Sequence, residues 1–478
     1  MSEQEFDVIV IGAGPVGQNV ADRAKQGGLS VAIVENELVG GDCSYWACIP
    51  SKTLLRSGNA LRAAQNVPGS SQAVTGSLDV AAVLERRNRF THDWTDAHEA
   101  KWLADTGIDL FRGRGRITAP KRVSVTAADG SVTELTAAHA VAVTTGTKAL
   151  IPDIPGMADA GPWTSRDATG AQSVPASLAV VGGGVVAAEM ATAYSSLGAD
   201  VTVIARSGLL KAYEPFVGKL VAQALRDRGA TLHLASSPTT VTRTDTGVAI
   251  SLDTGETVVA EEVLVATGRI PRTGDLGLDQ LELGDALDDK GWLDTDDTLL
   301  VTGTDWLYAC GDVNHRALLT HQGKYQARAA GDVIVARATG ATVDAGRWGV
   351  HAATADHAAV PQVIFTDPEV VSVGLTAAAA GAAGYDIRVI DYNLGWVSGA
   401  SIQAEDYEGQ ARMVVDEKRR VVLGLTFAGQ DVAELVQAAT IAVVGEVPID
   451  RLWHAVPPFP TMSEIWLRLL EAYGRPAA

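Results

Sequence analysis

Two cysteines carry the first chemistry legible in this chain. They stand in Gly40-Gly41-Asp42-Cys43-Ser44-Tyr45-Trp46-Ala47-Cys48-Ile49-Pro50-Ser51-Lys52, a Cys-x4-Cys, and the 478 residues hold only one further cysteine, Cys310. The thiolate is the reactive form of cysteine, so what surrounds such a pair decides what it does. Three cysteines suit a reducing compartment, where a close pair reads as catalytic rather than structural. Cys310 reads as a small buried core residue, with a reactive thiol as the competing reading.

Two glycine fingerprints about 170 residues apart supply the scaffold. A strand over 6–11 runs into Gly12-Ala13-Gly14-Pro15-Val16-Gly17; a helix follows to about 27, and a strand over 30–34 ends at Glu35. A strand over 178–181 runs into Gly182-Gly183-Gly184-Val185-Val186-Ala187, followed by a helix to about 198 and a strand over 200–204. Each is a complete βαβ unit, the context that gives the glycines meaning. They permit the tight turn and let N–H groups approach a pyrophosphate at a helix N-terminus.

The two units differ where the ribose would lie. Glu35 comes 18 residues after Gly17, and a carboxylate there accepts bonds from ribose hydroxyls while repelling a 2′-phosphate. The first site therefore suits FAD. Eighteen residues after Ala187 stands Ala205, followed by Arg206 and, further on, Lys211. Two cations without an acid suit a 2′-phosphate, which predicts NADPH over NADH. The competing reading leaves Arg206 solvated and NADH in use.

The bulk numbers exclude several classes. A net charge of −19 argues against nucleic acid and anionic membranes as partners. No apolar run is long enough to span a bilayer, and no signal peptide precedes the strand over 6–11, so a cytoplasmic location is expected. His315, His351 and His357 carry no metal-ligand spacing, and no metal site is expected.

The cysteine run, the paired fingerprints and four further signals resemble the class I pyridine nucleotide-disulfide oxidoreductases, which include dihydrolipoamide dehydrogenase, glutathione reductase and mercuric reductase. Val141-Ala142-Val143-Thr144-Thr145-Gly146 and Val263-Leu264-Val265-Ala266-Thr267-Gly268-Arg269 resemble the closing strands of the family's FAD and nucleotide domains. Leu307-Tyr308-Ala309-Cys310-Gly311-Asp312 resembles its second FAD motif, whose aspartate bonds the ribityl chain. The stretch 361–374 resembles the start of its dimerisation domain.

The resemblance implies an α/β fold with two Rossmann-like domains, for FAD and NAD(P)H, and an α+β C-terminal dimerisation domain. The expected segments are 1–150 for FAD, 151–272 for NAD(P)H, 273–350 returning to FAD, and 351–478 for the homodimer interface. The resemblance implies a Cys43–Cys48 disulfide, with Cys48 nearest the flavin and Cys43 as the interchange thiol. Lys52 and Glu189 match the lysine–glutamate pair near the flavin. Gly12, Gly14, Gly17, Glu35, Gly41, Lys52, Gly146, Gly311 and Asp312 are the expected FAD-side positions; Gly182, Gly184, Ala187, Arg206, Lys211 and Gly268 are the expected nucleotide-side ones.

One departure bears on the acceptor. Family members that reduce disulfides use a His-Pro-Thr-x-x-Glu motif, whose histidine transfers a proton and whose glutamate orients it. Here the stretch is Phe459-Pro460-Thr461-Met462-Ser463-Glu464. Glu464 remains, but phenylalanine cannot transfer a proton. His454 lies upstream in a proline-stiffened segment. The vicinal cysteine pair that ends mercuric reductases has no counterpart in the stretch 473–478.

An FAD-dependent NADPH oxidoreductase follows, with a metal ion such as Hg(II), a quinone or an unusual disulfide as acceptor. A dihydrolipoamide dehydrogenase without the usual histidine is the enzyme alternative. A flavin-binding redox sensor with little turnover is the alternative of another class. Inside the cysteine loop, Tyr45 and Trp46 either narrow the approach to Cys43 or pack against a neighbouring helix.

Overall fold

The computed structural model describes residues 2–475; Met1 and residues 476–478, the end of the tail expected to lack a cysteine pair, lie outside the described residues. Internal contacts divide the chain into two units. The first comprises 1–49, 88–149 and 269–357, and the second 50–87, 150–268 and 358–478.

The first unit is built on a sheet in the order Asp109–Arg112, Val31–Glu35, Ser2–Ile11, Val132–Val143, Arg122–Thr126, Arg114–Ala119, with Leu307–Ala309 also pairing with Val132–Val143. The strands around Ser2–Ile11 are parallel, in the register Val8 to Val31 through Ile11 to Val34. The period-two alternation of strands sends Val8 and Val10 into one apolar layer and Ile9 and Ile11 into the other. Both faces are covered, which is why the strand reads as one apolar run. Ser2–Ile11 begins earlier than the sequence predicts, because polar residues 2–5 are drawn into pairing with Thr133–Thr136.

The helix Pro15–Gln26 starts with proline at a position that needs no N–H, and buries Val20, Ala21 and Ala24. It belongs to the same apolar layer as Ala327, Ala330, Val333 and Ile334 of the helix Thr320–Thr339.

The second unit holds a parallel sheet in the order Thr231–Leu234, Asp200–Ala205, Ser177–Val181, Glu262–Val265. The helix Val185–Ser196 is alanine-rich and buries Ala187, Ala188, Ala191 and Ala193. A five-stranded antiparallel sheet follows in the order Pro361–Ile364, Glu369–Gly374, Val421–Gly429, Gln410–Asp416, Ile387–Asn393. Its central strand Val421–Gly429 is buried along its length. Helices Leu435–Val444 and Ile465–Tyr473 pack on this sheet. Beyond this core the same region exposes Trp396, Ile402, Ile441, Val444, Val456 and Phe459. No helix of the described residues is long and apolar enough to cross a membrane.

Candidate functional site

In the first unit, Gly12 has φ +103°, and a Cβ there would lie 2.6 Å from Thr144 O. A Cβ on Gly17 would lie 1.9 Å from Gly12 O, so only glycine lets the helix begin this close to the strand. Gly14 is the N-cap and brings no side chain, leaving the first N–H groups of Pro15–Gln26 for an anion. A Cβ on Gly41 (φ +60°) would meet Gly14 Cα at 2.9 Å, so the turn entering the cysteines sits on this cradle. Gln18 Nε2, on the same helix, is buried with no hydrogen-bond partner among the described residues. Glu35 ends its strand nearly buried and accepts N–H bonds from Ala13 (2.7 Å) and Glu37 (2.8 Å). Burial nevertheless pushes its carboxyl above the usual range.

The second unit repeats this geometry. A Cβ on Gly182 (φ +143°) would lie 2.3 Å from Ala266 O, as Gly12 abuts Thr144. Gly12 N–H donates to Val34 O and Gly182 N–H to Ile204 O, which makes Ala205 the structural counterpart of Glu35. Gly184 is the N-cap of Val185–Ser196, and a Cβ there would meet nothing within 4 Å. Ala187 is buried; Arg206 and Lys211 are exposed after the strand Asp200–Ala205. Gly268 (φ +145°) lies exposed beyond the strand Glu262–Val265.

Cys43 lies in the short helix Gly41–Tyr45, and Cys48 opens the helix Cys48–Gln65, which carries Lys52 one turn later. Both cysteines are thiols in this structure and both are half-buried. Cys48 Sγ is 3.3 Å from Thr320 Oγ1, at the first position of the helix Thr320–Thr339. The sequence reading did not single out Thr320, 272 residues away in the chain. Tyr45 is fully buried, its hydroxyl within reach of Val39 O, Thr95 O and Glu99 Oε2, so it packs and does not gate. Trp46 meets it edge-on at 5.7 Å. Cys310 is buried, and burial pushes its thiol pKa up, so it is inert core.

Asp42 joins a polar cluster that sequence reading also missed. Arg269 lies 3.2 Å from Asp42 and donates to Thr147 Oγ1 at 2.6 Å, and Thr147 Oγ1 donates to Asp312 Oδ2 at 2.6 Å. Asp312 follows Gly311 (φ +78°), whose N–H donates to Gln326 Oε1. Burial raises the Asp312 carboxyl pKa, and the Thr147 hydroxyl partly offsets that. Gly146 has φ +68° with open space where a Cβ would be.

In the second unit Lys52 Nζ and Glu189 Oε2 are 2.7 Å apart, and Glu189 is buried. The other Glu189 oxygen accepts the Phe365 N–H at 2.9 Å, and Lys52 lies over the Phe365 ring. Glu464 is also buried; its Oε2 has no hydrogen-bond partner among the described residues, and Arg468 is 3.9 Å from its Oε1. Phe459, where a base would stand, is 75% exposed, and His454 is exposed. The described residues hold no cluster of three or more His, Cys, Asp or Glu suited to a metal ion.

Comparison with known proteins places this geometry. A family model described as pyridine nucleotide-disulphide oxidoreductase matches residues 6–339, and one for the dimerisation domain of that family matches 360–469. A mercuric reductase from Staphylococcus aureus is 30% identical over 465 residues, 96% of this chain and 81% of that one. A dihydrolipoyl dehydrogenase from Halobacterium salinarum is 30% identical over 475 residues, 97% and 95% of the two chains. Among solved structures, the flavoprotein disulfide reductase RclA from Escherichia coli, in a Cu(II) complex, superposes with TM-score 0.84 at 22% identity, covering 98% of this chain and 99% of that one. LpdA from Mycobacterium tuberculosis gives 0.83 at 24% identity, covering 99% and 100%.

Proposed function

Because this chain belongs to the pyridine nucleotide-disulphide oxidoreductases, we propose that it carries two electrons from NADPH, by way of FAD, to the Cys43–Cys48 pair and on to an acceptor other than the disulfide of an ordinary dithiol. It is an FAD-dependent oxidoreductase with a dimerisation domain; the nicotinamide form, the residue roles and the acceptor are the proposal. Segments 1–150 and 273–350 are assigned to FAD, 151–272 to NADPH and 351–478 to the interface between two copies.

The cradle fits the flavin nucleotide: glycines where a Cβ would collide, an uncapped helix start, and the orphaned Gln18 amide. Gly12, Gly14, Gly17, Glu35, Gly41, Gly146, Gly311 and Asp312 would hold it. Gly182, Gly184, Ala187 and Gly268 would hold NADPH, with Arg206 and Lys211 for its 2′-phosphate. Bound FAD supplies two-electron exchange between nicotinamide and disulfide, so that NADPH, one proton and the disulfide give NADP+ and two thiols. The Lys52–Glu189 pair fixes a cation whose partner is buried, a geometry suited to tuning hydride transfer. Thr320 donates to Cys48 once it is a thiolate, and the N-terminal dipole of a 20-residue helix acts in the same sense. Cys43 then meets the acceptor.

Phe459 carries the reading of the acceptor. Its exposed ring replaces a proton donor, while the buried Glu464 keeps an unused oxygen. An acceptor that needs no protonated leaving group fits this arrangement: a metal ion such as Hg(II), or a quinone. An anaerobic NADPH titration tests the relay, a long-wavelength thiolate band being expected at two electrons. Steady-state NADPH oxidation with Hg(II), benzoquinone, lipoamide and oxidised glutathione tests the acceptor. Lipoamide turnover as fast as the best alternative would sink that half of the proposal.

A further inference from the structure

His92, Asp93 and Trp94 have φ of 50°, 49° and 55°, so the chain makes a left-handed turn with no glycine in it. L-residues resist this conformation and adopt it singly, not in runs. Such strain persists only where the surroundings impose it, and it gathers at sites that use it. The turn is closed by Trp94 N–H to Thr91 O (2.9 Å) and Thr95 N–H to His92 O (3.0 Å).

The turn and the helix it leads into aim four groups at the redox loop. Trp94 Nε1–H donates to the carbonyl of Tyr45 at 3.1 Å, between the two cysteines. The carbonyl of Thr95 lies 3.3 Å from the Tyr45 hydroxyl, and Glu99 Oε2, on the helix Ala97–Thr106, lies 3.1 Å from it. Asp96 Oδ2 accepts the Val39 N–H at 2.7 Å and is itself paired with Arg112 at 2.6 Å. Residues 39–45 are thus held through backbone at both ends, the Val39 N–H and the Tyr45 carbonyl, and at the second end by the buried Tyr45 ring as well.

We propose that residues 91–99 form a clamp on the redox loop and that Trp94 is a positioning residue for the Cys43/Cys48 couple. The inference rests on the relay proposed above. Forming the disulfide brings the sulfurs to about 2.05 Å and releases two protons and two electrons; opening it consumes the pair delivered from NADPH. With the intervening backbone held in both states, opening is left to rotation of the Cys43 side chain. Each thiol then stays at high effective concentration about the other, which favours closure. A loosened loop lowers that concentration and makes the couple less reducing.

Trp94→Phe keeps a ring and deletes the donor. Because the bond holds the loop in both redox states, the shift comes from the effective concentration lost when the loop loosens, up to the worth of one hydrogen bond, a factor of about two to ten. In flavin-loaded protein equilibrated with reduced and oxidised dithiothreitol, the thiol–disulfide equilibrium should shift about two- to tenfold toward thiols, roughly 10–30 mV. The readout is the fraction of Cys43 and Cys48 alkylated by N-ethylmaleimide. Tyr45→Phe, which removes only the hydroxyl, should shift the same way and serves if the first variant does not fold. A variant that melts earlier in both redox states yet keeps the wild-type equilibrium makes Trp94 merely structural and overturns the clamp. A wild-type protein that never forms the Cys43–Cys48 bond overturns the relay and the clamp together.

Discussion

Thr320→Val isolates one interaction at the proposed charge-transfer thiol. The hydroxyl lies 3.3 Å from Cys48 Sγ, and valine keeps its shape without its donor. When Cys48 is a thiol either atom can donate; when it is a thiolate only Thr320 can. The bond therefore stabilises the ionised form selectively. Hydrogen bonds to charged groups are worth about 1.5–3 kcal/mol, and a half-exposed sulfur belongs at the lower end. At about 1.4 kcal/mol per pH unit, deletion should raise the Cys48 pKa by about one unit. The assay is an anaerobic pH titration of the long-wavelength band of the two-electron-reduced protein. Its midpoint should move up by about one unit in Thr320→Val and return in Thr320→Ser, which restores the hydroxyl. Coincident midpoints in wild type and Thr320→Val would refute the claim that this hydroxyl stabilises the thiolate.

Three further outcomes are expected. Phe459→His restores an imidazole five residues before Glu464, and lipoamide-dependent NADPH oxidation should rise at least tenfold, a positioned acid–base group being worth about 10²–10⁴; no change in steady-state rate would mean that Glu464 cannot orient it. Arg206→Ala should raise the KM for NADPH by about tenfold, the loss of one charge-assisted bond at an exposed position, and leave that for NADH unchanged; an equal effect on both would remove Arg206 from 2′-phosphate recognition. Burial raises the Asp312 pKa, so its ionised form destabilises the fold above that raised value, and the penalty fades as pH falls through it. Asp312→Asn apoprotein should therefore melt higher than wild type at pH 7, with the gap closing toward pH 4, while FAD binding weakens; a pH-independent gap in calorimetry would show that burial is not the cause.

What sequence reveals here is what lies close in sequence. Both nucleotide cradles could be read because strand, glycine turn and helix are contiguous, and a Cβ at Gly12 or Gly182 would collide with backbone. Lys52 and Glu189, 137 residues apart, were paired from the resemblance alone, and the structure places them 2.7 Å apart. Contacts that depend on packing left no mark. Thr320 looks like any helix-starting threonine, and the left-handed turn at His92–Trp94 contains no glycine to announce it. The early start of the first strand was hidden for the same reason, since residues 2–5 are polar and become a strand only by pairing with a partner more than a hundred residues away. Tyr45 had two readings because a large ring in a loop can face inward or outward; the hydroxyl's three neighbours decide it.

The near-identity of the two cradles raises a problem of mis-loading. Gly12 against Thr144 and Gly182 against Ala266 make the same socket twice within one chain. If both hold an adenine dinucleotide's pyrophosphate, as proposed, this shared backbone does not sort the cargo. Under the proposed assignment, sorting falls to the single step after each second strand: an acid in one socket, and in the other an alanine followed by a cation. On that assignment a duplicated fold keeps its two nucleotides apart by a difference in charge, and exchanging those few side chains is expected to exchange the addresses while leaving the architecture unaltered.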